Sequence, residues 1–169
     1  MACAETPTVA FPFDPDRLFA DHASQLTLRD DGTEVLNMPG GVTVTRNGAR
    51  IRANDPSGAV GCALMMWHDL RDIAKACVGL TPQEEQIADA YVDRILRFVA
   101  QNAYPPMEPE ALRGLLAKLA RPITPQMCAQ ARAEGWMDRS VRQLVDPATE
   151  RQMDKLLATP RLPVMNPCL

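Results

Sequence analysis

Apolar residues between Ser57 and Asn102 recur three and four positions apart in two long segments, a spacing that places them on one side of a helix. The first segment carries Val60, Ala63, Leu64, Trp67, Leu70, Ile73, Ala74, Cys77 and Val78, and the second Ile87, Ala88, Tyr91, Val92, Ile95, Phe98 and Val99. The chemistry of the junction at Gly79-Leu80-Thr81-Pro82 is explicit. Gly79 closes one helix, Thr81 caps the next, Pro82 suits its first turn, and Glu84 and Glu85 sit at its positive end. The pattern predicts a helical hairpin around which the rest of the chain is arranged.

From Gln25 to Asn54 the period changes to two, and turn signals arrive at Asp31-Gly32, Pro39-Gly40-Gly41 and Asn47-Gly48. Four short strands are expected over 25–29, 33–37, 42–46 and 49–53. A two-residue loop at Asn47-Gly48 would set Thr45 opposite Arg50, Val44 opposite Ile51 and Thr43 opposite Arg52. Val42, Val44, Ile51 and Ala53 then share one face, suited to packing, and Thr43, Thr45, Arg50 and Arg52 the other.

Ahead of the strands, Asp14-Pro15 opens a short helix with Leu18 and Phe19 on its apolar side. Beyond the hairpin, Tyr104-Pro105-Pro106 stops the second helix and a further one is expected over 108–120. Two short helices, 125–134 with Thr124 as cap and 138–145, meet at Gly135-Trp136-Met137, and Asp146-Pro147 starts the last. The predicted architecture is α+β: a small antiparallel meander packed on five or six helices, forming one domain over residues 14–158.

Both ends read as extended and Pro-marked, residues 1–13 as an arm and 159–169 as a tail. They are not polar, since Val9, Phe11 and Phe13 lie in the first and Leu162, Val164, Met165 and Leu169 in the second. Apolar groups left in water gain nothing, so such segments are expected to dock on a neighbouring subunit or to strap the protein's own core. Phe11, Phe13, Leu162, Val164 and Met165 are the partner-binding candidates this implies.

The 169 residues suffice for one core. A net charge of −3 gives no overall basic field for nucleic acid. No apolar run approaches the roughly 18 residues that span a bilayer, and Met1 to Pro7 has neither the basic nor the apolar region of a secretory signal. A cytoplasmic location is the expectation. Five cysteines, an odd number without CxxC spacing, argue against a disulfide framework, so Cys62 and Cys77 are expected to be small buried apolar residues in a reducing compartment. His22 and His68 have no second histidine or cysteine at helical spacing, which leaves no metal or cofactor expected.

Arg29, Arg46, Arg50 and Arg52 make the strand region locally basic, with Arg50 and Arg52 assigned to one face as a surface for phosphate or an acidic protein. Charged residues also protect the edge of a small sheet, and no aromatic neighbour is present to stack bases. A second pattern lies at Met127 to Leu144. Ala131, Gly135, Val141 and Leu144 fall at the offsets of a helix-turn-helix, which would turn Arg139, Ser140, Arg142 and Gln143 toward DNA. Trp136 at the turn and the nearby Glu134, Asp138 and Asp146 oppose that reading. His68 has Asp72 one helical turn on, but no serine or cysteine pairs with a base, and Gly40-Gly41 precedes a strand rather than a helix, so catalysis is not expected. The expected role is a non-enzymatic subunit or accessory factor of a larger assembly, such as a virion or mobile-element component. It would bind protein through its arms and the Arg50/Arg52 face, alone or as a homo-oligomer. A helix-turn-helix regulator using residues 125–145 is the alternative.

Overall fold

The structure is a computed structural model that describes residues 12–135 and 137–166. The predicted hairpin is its spine. Helix α2 (Val60–Cys77) and helix α3 (Pro82–Asn102) pack along their apolar stripes. At the start of α3 a capping box forms: the Thr81 hydroxyl accepts from the Glu84 amide, and the Glu84 carboxylate accepts from the Thr81 amide at 2.8 Å. Val78, placed on the apolar stripe by its spacing, is exposed because α2 ends one residue before it.

Helix α1 (Pro15–Asp21) precedes an antiparallel meander of β1 (Thr27–Leu28), β2 (Glu34–Asn37), β3 (Thr43–Asn47) and β4 (Arg50–Asn54), in the order β1-β2-β3-β4. The expected register of the last pair is corrected. Thr45 faces Arg52 and Val44 faces Ala53, so the loop is Gly48-Ala49 rather than Asn47-Gly48. Gly48, with φ of 56°, takes the first central position, where a tight hairpin turn needs positive φ, and Asn47 stays in the strand opposite Arg50. The shift is by two residues, so the predicted faces survive it.

Helices α4 (Pro109–Leu119), α5 (Pro125–Ala133), α6 (Met137–Val145) and α7 (Pro147–Leu156) complete an α+β fold. Asp14, Thr124 and Asp146 cap helices as their positions predict, accepting from the amides of Arg17, Met127 and Ala148. Three core clusters lie along the hairpin. One joins the sheet's inner face to α1 and the start of α2, one fills the space between α2, α3, α4 and α7, and one joins the far end of the hairpin to α5 and α6.

The C-terminal segment belongs to the first cluster. Leu162 is 5% exposed and Val164 fully buried among Leu18, Phe19, Leu36 and Val44. No side chain caps α2; instead the Val164 carbonyl accepts from the Gly61 amide at 3.0 Å, satisfying a donor that the helix start leaves open. Only glycine allows this approach, because a Cβ at position 61 would lie 2.8 Å from that carbonyl oxygen. Arg161 is buried with Asp55, its Nε donating to Oδ2 at 2.5 Å and its terminal nitrogens to the carbonyls of Leu156, Gly58 and Thr159. The tail therefore straps the protein's own core.

The expectation that Cys62 and Cys77 are small buried apolar residues without a disulfide is also corrected, since both are disulfide-bonded. Cys77 and Cys128 form a disulfide, with Cα atoms 5.1 Å apart, between the end of α2 and α5. Nothing local announces a pair 51 residues apart; it arises because α5 packs against the end of α2 there. The argument for a reducing compartment loses its basis, since disulfides persist in oxidising surroundings. No helix among the described residues is long and apolar enough to cross a membrane.

Candidate functional site

The outer face of the sheet gathers the polar half of every strand. Thr27, Val35, Thr45 and Arg52 form one cross-strand row, and Asn37, Thr43 and Asn54 another. In a third, the Arg29 amide bonds to the Thr33 carbonyl, the Asn47 amide side chain donates to the Thr33 hydroxyl at 2.9 Å, and Asn47 pairs with Arg50. Alternation puts these side chains together because strand residues two apart share a face. A shallow polar cavity of about 470 Å³ opens between them, lined by Arg29, Arg50 and Arg52 with Asp31, Thr33, Thr45 and Asn47.

Arg29, Arg50 and Arg52 are all exposed, and among the described residues none has an ion-pair partner within 4 Å. Asp31 supplies the one carboxylate at the rim. Its carboxyl is held below the usual carboxylate range, first by the Thr33 backbone amide at 2.9 Å and then by the Thr33 hydroxyl, so it stays ionised. Three guanidinium groups against one fixed carboxylate leave a positive patch on a chain of net negative charge.

Arg46, grouped with these arginines by sequence proximity, lies on the inner face. It makes a bidentate pair with Glu34 at 2.5 and 3.2 Å and stacks 4.2 Å from the centre of the Phe19 ring. The hydrogen bond to Arg46 holds the Glu34 carboxyl below its usual range. Arg46 is thus part of the packing and adds nothing to the outer patch.

The other candidates fall in different surroundings. Phe11 lies outside the described residues. Phe13 is half-buried against the chain's own sheet cluster and bridges Tyr104, while Met165 is half-buried with its sulfur near Gly61. Together with buried Leu162 and Val164, this leaves the described arm residues against the chain's own core, the second of the two placements expected for them.

Helices α5 and α6 meet as the offsets require: Ala131, Val141 and Leu144 are buried together and Gly135 has φ of 65°. Trp136 lies outside the described residues. Arg139, Arg142 and Gln143 are exposed, but Ser140 and Gln143 line a groove with Met66, Trp67 and Leu70 of α2.

His68 is nearly buried, and its Nδ1 lies 3.6 Å from both Asp69 and Asp72, so the adjacent carboxylate comes as close as the one a turn away. Arg71 takes Asp72 at 2.6 Å, and a cavity of about 360 Å³ beside them also exposes Arg113. No serine or cysteine lines that cavity to serve as a nucleophile. Among the described residues no three His, Cys, Asp or Glu side chains gather in a metal-binding arrangement.

Sequence reasoning missed Asp55 and Arg161; the signal was an arginine between prolines in an otherwise apolar tail. It also missed the groove along α2, because its walls come from three separate segments. Comparison of the chain with protein-family models, with curated proteins and with solved structures finds no match.

Proposed function

We propose that this chain is a non-enzymatic interaction subunit that docks an acidic protein surface on the outer face of its sheet. The observation that carries the reading is the set of three exposed guanidinium groups, Arg29, Arg50 and Arg52, on one face without ion-pair partners among the described residues. Guanidinium forks match carboxylates in bidentate geometry, and the threonine and asparagine side chains between them add hydrogen bonds. The face carries no aromatic ring on which an unpaired base could stack, which favours an acidic protein over single-stranded nucleic acid.

The test is fluorescence anisotropy with a labelled poly-glutamate peptide and, in parallel, labelled single- and double-stranded DNA. The expected result is peptide binding that weakens with added salt and is lost in the double variant Arg50→Glu/Arg52→Glu. Tighter binding to DNA than to the peptide, or peptide binding indifferent to the double variant, overturns it.

A DNA-binding regulator is the second reading, favoured by the packing of Ala131, Val141 and Leu144 around Gly135. It predicts salt-sensitive duplex binding that falls on Arg142→Ala and persists in the Arg50/Arg52 variant.

A further inference from the structure

The sheet has two edges, and they differ. At one lies β1, only Thr27 and Leu28 long; at the other lies β4, which runs five residues with no strand beyond it. The Gly48-Ala49 loop makes Asn47 and Arg50 a hydrogen-bonded pair, and antiparallel bonding then alternates, so Arg50, Arg52 and Asn54 spend their backbone groups on β3. Ile51, Ala53 and Asp55 turn theirs outward. The Asp55 amide donates to the Asn166 carbonyl of the strap at 3.3 Å, whereas the amides and carbonyls of Ile51 and Ala53 have no partner among the described residues. Such an edge is a template for another extended chain, and the protein's own tail already uses one end of it.

The side chains say which kind of chain. Arg50 and Arg52 are exposed on the outer side of β4, without an acidic partner within 4 Å among the described residues. Ile51 and Ala53 are half-buried on the inner side, at the margin of the cluster under the sheet. A strand laid beside β4 therefore meets positive charge at alternate positions on one side and an apolar margin on the other. A second copy pairing through the same edge would set these arginines against each other, and like charges facing across a sheet destabilise it.

We propose that the β4 edge takes up an extended acidic segment of a partner protein as a fifth strand, antiparallel to β4. Acidic side chains of that segment pair with Arg50 and Arg52, and β-branched residues between them extend the inner face beside Ile51 and Ala53. Its backbone closes hydrogen bonds with the outward groups of Ile51 and Ala53. The inference rests on the acidic partner proposed for the outer face and adds its form, a strand held by backbone as well as by charge.

The probe is a labelled peptide of about seven residues alternating glutamate and valine, beside a twin N-methylated at its valines, which keeps every charge but loses the amide donors that would face β4. Anisotropy is measured with the full chain, and hydrogen exchange follows the Ile51 and Ala53 amides. The expected result is salt-sensitive binding that the N-methylated twin weakens about tenfold or more, with slower exchange at Ile51 and Ala53 only when the unmodified peptide is bound. Arg50→Glu/Arg52→Glu also abolishes binding. The twin leaves the protein itself unchanged, so its effect owes nothing to the folding of a variant. If the twin binds as tightly and the two amides stay unprotected while binding still needs Arg50 and Arg52, strand addition is overturned and the acidic-surface reading stands. If neither the alternating peptide nor poly-glutamate binds, both fall. Self-association that protects the same two amides without peptide also overturns the proposal, making a second copy the occupant.

Discussion

The two faces of the sheet use the same strands to opposite ends. On the inner face Leu36 and Val44 are fully buried against α1 and the C-terminal strap, and the one arginine there, Arg46, is spent on Glu34 and the Phe19 ring. On the outer face Arg52, across β3 from the same strand environment, meets threonines and has no acidic partner within ion-pair distance. Side-chain parity alone separates them, because a strand turns successive residues to opposite sides. An arginine's role on this sheet is therefore set by whether its position number is odd or even relative to the core.

The inner side should govern stability. Arg161→Ala removes the partner of a buried carboxylate, Asp55, and we expect a loss of about 3–5 kcal/mol in urea denaturation, the largest effect of any single change here. Leu36→Ala, which empties a fully buried site under the sheet, should cost about 2–4 kcal/mol by the same measurement. Gly61→Ala should cost about 1–3 kcal/mol, because the new Cβ pushes the Val164 carbonyl away from the start of α2.

Acid sharpens the contrast further. The folded pKa of Glu34 is lowered by Arg46, so its contribution is present above the unfolded carboxylate range and is lost as pH falls through the folded value. The wild-type protein should melt above Glu34→Gln at pH 7, and the gap should narrow as pH falls below the unfolded carboxylate range, because protonation of Glu34 removes its pairing with Arg46. Arg50→Glu/Arg52→Glu, on the outer face, should change stability by about 0.5 kcal/mol or less while abolishing binding of the acidic peptide. If that double variant destabilised the protein as much as Leu36→Ala, the outer face would be structural and the division would fail.

Much of the fold was legible in the chain. The hairpin showed in its apolar spacing, and Asp14, Thr81, Thr124 and Asp146 announced helix starts through the amides their side chains accept from. The faces of the sheet were legible even though the register was not. A two-residue slip preserves which side each residue takes, so the hydrophobic pattern could not expose it. The basic site was half legible: Arg50 and Arg52 could be placed on one face, but Arg29 joined them only through the meander, and Arg46 was removed by it.

What the sequence determined by itself was local: periodicity, caps, turn residues and the parity of each strand, all set by interactions within about one turn or one strand. The tertiary structure alone decided that the apolar tail covers its own core, that Cys77 meets Cys128, that Asp55 holds Arg161, and that Met66, Leu119 and Met127 border one groove. Those pairings join residues dozens of positions apart. Which of many apolar surfaces or charges come together is settled by how whole helices and the sheet pack, and no local pattern records it.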